Sequence, residues 1–416
     1  MSLVKHEAGR FRNRIREFTI SGTCLFSFFL PLLLWPSIEH PFSTPKWWLL
    51  GGWSVALISL LLCLRKQNSS PALATREIVI VAAWVAALSV SALTAPVVSL
   101  RSLLCAIMPI PWFLALRIVP DLSERMVKTL LWTSAVLSLV ALLQYAEMDP
   151  FIRLFGWQPE KFPGSRMRVY GTLGNPNFVA AWLCATLPLH LPGCFGGARP
   201  KSKGTWIAGI LMAIQFLAIV ATGSRVLLIA MGIILLVLLV FHRKSALSIA
   251  VPIALASMIW LFWAGPARSL GNTLAGRWFI AGTVLEHWKE IPVFGFGAGI
   301  FPEQFARWQY EWLQKTGAGD PRLQYASPLD HAHNDYLEFL VNYGYAGLTA
   351  FLLFWFLLLK ELIKPLACFA DKNLLAARIS APLILSAIAL VDFPFQRPAE
   401  WGLFWILLGL ALERES

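Results

Sequence analysis

Apolar runs of roughly 17 to 25 residues recur along the whole chain, and each is long enough to cross a hydrocarbon layer as a helix. A helix satisfies its own backbone hydrogen bonds where no water can do so. The runs fall near 18–36, 46–64, 77–95, 98–117, 126–146, 173–191, 205–221, 225–241, 247–264, 335–360, 374–392 and 399–413, about twelve spans. A soluble core could not hide this much apolar surface: 57% of the 416 residues are hydrophobic and 14% are charged, against roughly 25% charged in soluble domains. The expected fold is an all-α polytopic membrane protein, read as one domain over residues 1–416.

The formal net charge of +12 raises nucleic acid as a partner. Lys and Arg are, however, scattered through short loops, with no basic patch interleaved with aromatics on a soluble module. Membrane lipids and anionic lipid-linked substrates are the expected partners; nucleic acid is not. Cys24, Cys63, Cys105, Cys184, Cys194 and Cys368 show neither a disulfide framework nor metal-type spacing, and they read as small packing residues. Lys5, Arg10, Arg12, Arg14 and Arg16 precede the first apolar run with no small-residue cleavage site after it. An uncleaved first span, retained in a bacterial inner membrane, is therefore expected.

Counted from a cytoplasmic N-terminus, the even-numbered connections carry the bases: Arg65, Lys66 and Arg76; Arg117, Arg125 and Lys128; Arg199, Lys201 and Lys203; Arg243 and Lys244; Lys360, Lys364, Lys372 and Arg378. The positive-inside rule places these in the cytoplasm, together with both termini. The opposite side then holds two sizeable loops, 147–172 and 265–334, and long connections in a compact fold tend to carry function. Trp278, Phe279, Trp288, Phe294, Phe296, Phe301, Phe305, Trp308 and Trp312 make the second loop too aromatic for a disordered tail. Its runs from Arg277 to Trp288 and from Pro302 to Gln314 are predicted to be short amphipathic helices. Joined by Pro292 and the glycines 295, 297 and 299, they would lie along the bilayer interface as a lid. Gly295-Phe296-Gly297-Ala298-Gly299 lacks the preceding strand and parallel-sheet unit of a nucleotide loop, so a hinge or turn is expected there.

The polar stretch Asp330-His331-Ala332-His333-Asn334-Asp335-Tyr336-Leu337-Glu338 opens a long apolar helix. Asp335 and Glu338 fit a capping box, which puts His331 and His333 at or just ahead of a helix start at the membrane surface. A neutral imidazole there is placed to take a proton from a hydroxyl; capping the helix or binding headgroups is the other reading. Arg225 follows Ala221-Thr222-Gly223-Ser224 at the outer end of a span, where a guanidinium and the free amides of a helix start make an anion site. A snorkelling arginine would occupy the same place. The first outer loop adds Arg153, Lys161, Arg166 and Arg168 against Glu147, Asp149 and Glu160, and then Tyr170-Gly171-Thr172-Leu173-Gly174-Asn175-Pro176-Asn177. Asn175 is predicted to cap a helix with Pro176 in its first turn. Phosphate recognition accounts for the basic excess, as would solvated loop charges. Arg277 and Arg101 are further candidates. His331, His333 and Asp335 form a conceivable zinc set, but no remote ligand cluster stands out, so neither metal nor cofactor is expected.

From His333-Asn334 the chain continues nine residues to Tyr343 and then Gly344-Tyr345-Ala346-Gly347-Leu348-Thr349. This resembles the His-Asn, nine-residue, Gly-x-x-Gly-x-Thr signature of bacterial O-antigen ligases, within the wider O-antigen ligase and polymerase membrane family. Gly174-Asn175-Pro176-Asn177, Gly223-Ser224-Arg225 and the segment from Gly276-Arg277-Trp278 to Gly299 add to the likeness, which spans roughly 165 to 360. The resemblance implies a metal-independent, inverting glycosyltransferase of the GT-C type. Its donor would be an undecaprenyl-diphosphate-linked glycan and its acceptor the lipid A-core oligosaccharide on the periplasmic leaflet. On this reading His333 is the base, while Arg225 and Arg277 neutralise the departing diphosphate. Arg166, Arg168, Lys161, Asn175, Asn177, His331, Asn334 and Arg101 would line the diphosphate and glycan sites.

Three alternatives share the composition. An O-antigen polymerase would use a second lipid-linked glycan as acceptor, and the Gly-x-x-Gly-x-Thr tail speaks for the ligase. An O-oligosaccharyltransferase would need a protein acceptor, for which no large soluble domain is visible. A flippase or transporter would carry ionisable residues deep in its spans, whereas the polar residues here gather in the outer loops.

Overall fold

The computed structural model describes residues 2–65, 75–94, 99–156, 168–195, 203–242, 270–317, 319–363 and 372–412. Among these residues the chain is helical throughout, with no strand. In order the α-helices are α1 (Ser2–Phe29), α2 (Thr44–Arg65), α3 (Thr75–Thr94), α4 (Leu100–Ile107), α5 (Ile110–Ile118), α6 (Leu122–Tyr145), α7 (Pro150–Phe155) and α8 (Pro176–Thr186). They continue with α9 (Leu191–Phe195), α10 (Lys203–Ala221), α11 (Val226–His242), α12 (Leu270–Glu286), α13 (Phe301–Lys315), α14 (Asp335–Ile363), α15 (Lys372–Ile388) and α16 (Pro398–Ala411).

Six stretches are long and apolar enough to cross a bilayer: Thr44–Leu64, Glu77–Thr94, Leu100–Ile118, Leu122–Tyr145, Gly204–Ala221 and Asp335–Leu357. Val226–Leu238 and Pro398–Ala411 are shorter apolar helices. The remaining expected spans fare differently. The run 247–264 lies outside the described residues. The run 173–191 is not one helix: α8 gives way to a 3-10 turn at Leu187–His190 and then to α9, because Pro188 has no amide to donate and its ring crowds the preceding turn. The run 98–117, one of the six, is nonetheless divided into α4 and α5 at Met108 and Pro109 for the same reason. The run 18–36 ends early, at Phe29, ahead of Pro31.

α15 and α16 form the centre. Every residue of α16 is buried, and α15 is buried from Leu375 to Ile388 except at Arg378. Trp401 and Trp405, each 1% exposed or less, pack with Phe351, Phe354, Phe395 and Phe404 into an aromatic core between α14 and α16. The outer helices leave apolar side chains uncovered, as at Ile58 and Leu62 of α2 and at Ile207, Ile210 and Leu217 of α10, which suits contact with lipid tails.

The two ends of the bundle differ in charge. One gathers the paired bases: Arg117 with Glu77 at 3.1 Å, Arg125 with Glu17 at 3.0 Å, and Arg16 with Asp121. The Glu77–Arg117 pair is bidentate and nearly inaccessible to solvent, so removing either partner would strand a buried charge at a cost of about 3–5 kcal/mol. The other end carries the connections that follow α1, α10 and α15, and the segment from α12 to the start of α14.

α12 and α13 match the two predicted short helices, with α12 beginning at Leu270 rather than near Arg277. α13 buries Phe301, Gln304, Phe305, Trp308, Gln309 and Trp312, a stripe at three- and four-residue spacing that packs on Phe279, Ile280 and Val284 of α12. The glycine-rich segment between them inserts into a break in α14. Gly344 has φ 69° and ψ −168° there, leaving carbonyls that ordinary helical amides do not reach. Phe296 N–H donates to Val341 O at 3.0 Å, Gly297 N–H to Asn342 O at 3.0 Å, and Ala346 N–H to Val293 O at 2.9 Å. A Cβ at Gly344 would fall 2.3 Å from Gly295 N and from Val293 O, so the contact requires glycine. The glycine segment is thus a docking seam between backbones, in keeping with the turn expected of it.

Candidate functional site

The stretch from His331 to Glu338 opens α14 as expected, but its caps are arranged differently. Asn334, not Asp335, is the N-cap: its Oδ1 accepts from Tyr336 N–H at 3.0 Å and Leu337 N–H at 3.1 Å. Glu338 reaches back to Ala332 N–H at 3.0 Å and to His331 Nδ1 at 3.1 Å. Asp335 is fully buried and accepts from Phe395 N–H at 2.8 Å and Gln396 Nε2 at 3.1 Å. The capping box fails because Asp335 is drawn inward to the turn before α16, where it takes those two donors. Asn334, expected to line the glycan site, spends its carbonyl on the helix.

His333 sits just before that cap with φ 50°, a left-handed conformation that side-chain-bearing residues rarely hold. Its side chain is 38% exposed, and Nδ1 lies 3.8 Å from Asp392 Oδ1, too long for a hydrogen bond; Nδ1 is buried with no such partner among the described residues. With Nδ1 turned to the carboxylate, Nε2 is the ring's other basic position. Phe393 separates the two histidines, stacking on His331 at 4.4 Å and meeting His333 edge-on at 5.1 Å.

Asp392 is 2% exposed. Burial pushes its carboxyl up, and the Arg397 guanidinium, the neighbouring His333 ring and the Phe393 amide outweigh that and bring it to about 2. Arg277 on α12 is half-buried and feels both other members of the group. Burial lowers its pKa, the Asp392 carboxylate raises it, and the Arg225 guanidinium lowers it. Arg225, Arg277, Asp392 and His333 thus gather at one end of the bundle, carried by the α10–α11 turn, α12, the α15–α16 connection and the start of α14.

The turn bearing Arg225 is tied to α8. Asn177 Oδ1 accepts from Ser224 Oγ at 2.8 Å, and Asn175 caps α8 by accepting from Asn177 N–H at 2.9 Å, with Pro176 following as expected. The preceding residues are anchored in the core: Gly171 N–H donates to Gln144 Oε1 at 2.7 Å and Thr172 Oγ1 to Pro31 O at 2.7 Å. Asn175 and Asn177 therefore build the turn on which Arg225 stands. Arg168 is exposed at the edge of this loop, and Arg101 is exposed in the first turn of α4. Lys161 and Arg166 lie outside the described residues.

His331, His333 and Asp335 do not converge as a zinc set, since His331 and Asp335 turn to separate partners. Among the described residues, His287, Glu290 and Glu311 do converge, one ligand atom from each within 4.8 Å of the others. Each is already engaged: His287 Nδ1 with Thr283 O at 2.8 Å, Glu290 Oε2 with Trp308 Nε1 at 3.0 Å, and Glu311 Oε1 with Arg307 Nε at 3.1 Å.

The family model described as O-antigen ligase matches residues 210–352. Residues 210–352 are thus similar to an O-antigen ligase domain. No curated protein matches the chain. The matched stretch runs from α10 into α14, so it supplies Arg225, Arg277, His333 and the glycine seam. This domain does not complete the site by itself: Asp392 and Phe393 come from beyond it, and the Asn177 support comes from before it. Those two residues were missed by sequence reasoning because Asp392-Phe393-Pro394-Phe395-Gln396-Arg397 reads as a short turn between apolar runs. The signal that would have found them is the one that found Arg225: charges on the side of the bundle where the topology rule expects few.

Proposed function

We propose that the chain transfers a glycan from undecaprenyl diphosphate to lipid A-core oligosaccharide at the periplasmic face of the bacterial inner membrane. On this reading the chain crosses the membrane about twelve times, with both termini cytoplasmic and α12–α13 as a periplasmic lid, in a GT-C-like fold. The observation that carries the reading is the gathering of Arg225, Arg277 and His333, all within the stretch similar to an O-antigen ligase domain, with Asp392 from beyond it. Two guanidiniums within one another's field make that end of the bundle attractive to an added anion. A diphosphate is a fitting one, because guanidinium forks pair with phosphate oxygens and stabilise charge as it develops on the leaving group.

His333 faces the chemistry from the other side. Asp392 orients Nδ1, and Nε2 takes the proton as an acceptor hydroxyl attacks the anomeric carbon. Attack opposite the leaving group inverts that centre, and the arginines supply the neutralisation that a divalent ion provides elsewhere. The test is to mix purified protein with lipid-linked glycan and offer either lipid A-core or a second lipid-linked glycan. Elongation of lipid A-core, retained in EDTA, is the expected result. Elongation of the second lipid-linked glycan would make the chain a polymerase, and loss in EDTA restored by a divalent ion would overturn the arginine-only account.

A further inference from the structure

The charges around Asp392 continue past the site. Arg397 follows the turn Pro394–Gln396 and is 7% exposed. Its guanidinium lies 3.7 Å from the Phe178 ring centroid and 5.2 Å from that of Phe393. Nη1 donates to Asp392 Oδ2 at 3.3 Å, and Nε lies 2.9 Å from Glu400 Oε1 without hydrogen-bond geometry. Nη2 is buried with no hydrogen-bond partner among the described residues. Glu400 is buried in α16 and within the field of Lys46, whose ammonium donates to the carbonyls of Leu33, Phe42 and Thr172 at 2.6, 2.6 and 2.9 Å. A string of ionisable side chains thus runs from His333 through Asp392, Arg397 and Glu400 to Lys46.

A guanidinium held between two rings with a single good hydrogen bond is poorly used as a donor. A buried cation in that position contributes through its charge, and the anion it holds most directly is the one facing His333. We propose that Arg397 is a positioning residue: clamped by Glu400 and the two rings, it keeps the Asp392 carboxylate ionised and turned toward His333 Nδ1. This deepens the transfer reading of the site and rests on it.

The groups facing Asp392 are His333 at the start of α14, Arg277 from α12, and Arg397 and Glu400 at the start of α16; α8 contributes Phe178, which does not titrate. Asp335 also lies within the field of Arg397. Burial alone drives the Asp392 carboxyl to hold its proton, and Arg397 is the largest influence against it. Without Arg397 the carboxyl protonates at higher pH and ceases to hold the imidazole. Activity is then lost on the acid side and recovered as pH rises.

The experiment compares Arg397→Met, Arg397→Lys, Asp392→Asn and the double variant Asp392→Asn/Arg397→Met, all as full-length protein in detergent or lipid. Arg397→Met is expected to lower kcat at neutral pH about 10-fold or more, part of the 10²–10⁴ that a general base supplies, with KM for the lipid-linked donor nearly unchanged. The acid limb of its pH profile should move upward, Arg397→Lys should restore most of the rate, and the double variant should be no slower than Asp392→Asn. Infrared titration gives a readout independent of turnover: Arg397→Met should show a protonated-carboxyl band at neutral pH that Asp392→Asn removes. Absence of that band, or a double variant slowed by the product of the two single losses, would overturn the proposal. If the wild-type protein transfers to neither acceptor, the transfer reading fails, and the band still decides whether Arg397 governs Asp392.

Discussion

At His333 the backbone itself marks the site. A left-handed residue with a side chain costs about 1–3 kcal/mol and persists only where its surroundings hold it; here those are the Asn334 cap on one side and the Phe393 ring on the other. The conformation carries the ring out of the helical turn and over Asp392. His333→Ala removes the base and relieves the ring's contacts without touching the cap, so transfer should fall by about 10²–10⁴ while the protein elutes and melts as the wild type does. Arg225→Ala should cost about 10²–10³ through lost stabilisation of the leaving group, with a weaker apparent affinity for the lipid-linked donor. Single-turnover rates measured on both variants check this pair. A His333→Ala protein with wild-type rates would remove the imidazole from the mechanism.

At the scale of elements, the seam between the glycine segment and α14 decides whether α12–α13 and the turn bearing His333 keep their relation. A Cβ at Gly344 would meet the Gly295 and Val293 backbones at 2.3 Å, and one at Gly295 would meet Asn342 O at 2.4 Å; backbone cannot yield as a flexible side chain can. Gly344→Ala should therefore open the seam, speed proteolysis between Glu290 and Phe301 and abolish transfer, although Arg225, His333 and Asp392 are untouched. Gly276→Ala is the control: its Cβ would meet only Tyr325 Cδ1, at 3.7 Å, and in a helix alanine is favoured over glycine by about 1 kcal/mol. Wild-type proteolysis of Gly344→Ala would mean that the seam is not a latch. The signature Gly-x-x-Gly was legible in the sequence, but its use was not. Nothing in a run of apolar residues says that one glycine breaks the helix to receive another backbone from some fifty residues upstream. The two short helices were legible because their aromatic stripes repeat at helical spacing. The start of α14 was legible too, though the cap fell on Asn334 because the pull on Asp335 comes from Phe395 and Gln396, far along the chain.

For the whole molecule, the arrangement of charge is the property that fixes which face meets which compartment. Arg225, Arg277 and His333 stood out in the sequence as polar groups where few are expected, and the fold brings the two arginines into one field with the histidine's carboxylate partner. Asp392 and Arg397 did not stand out, because the short connection between α15 and α16 offers too few residues to read as a loop with a purpose. The proposed sidedness draws on the bases at the opposite end, where Asp121 lies beside Arg16 and Arg125 beside Glu17. Positive residues resist crossing the membrane during insertion, so that end should face the cytoplasm and the site should face outward. Single cysteines placed at Asp121 and Arg322 in a background lacking the native ones report this directly, since both positions are largely exposed and lie at opposite ends. In intact cells with a permeable outer membrane, an impermeant maleimide should label Arg322→Cys at once and Asp121→Cys only after the inner membrane is opened. The reverse order would put the imidazole and both arginines on the cytoplasmic side, away from any periplasmic acceptor.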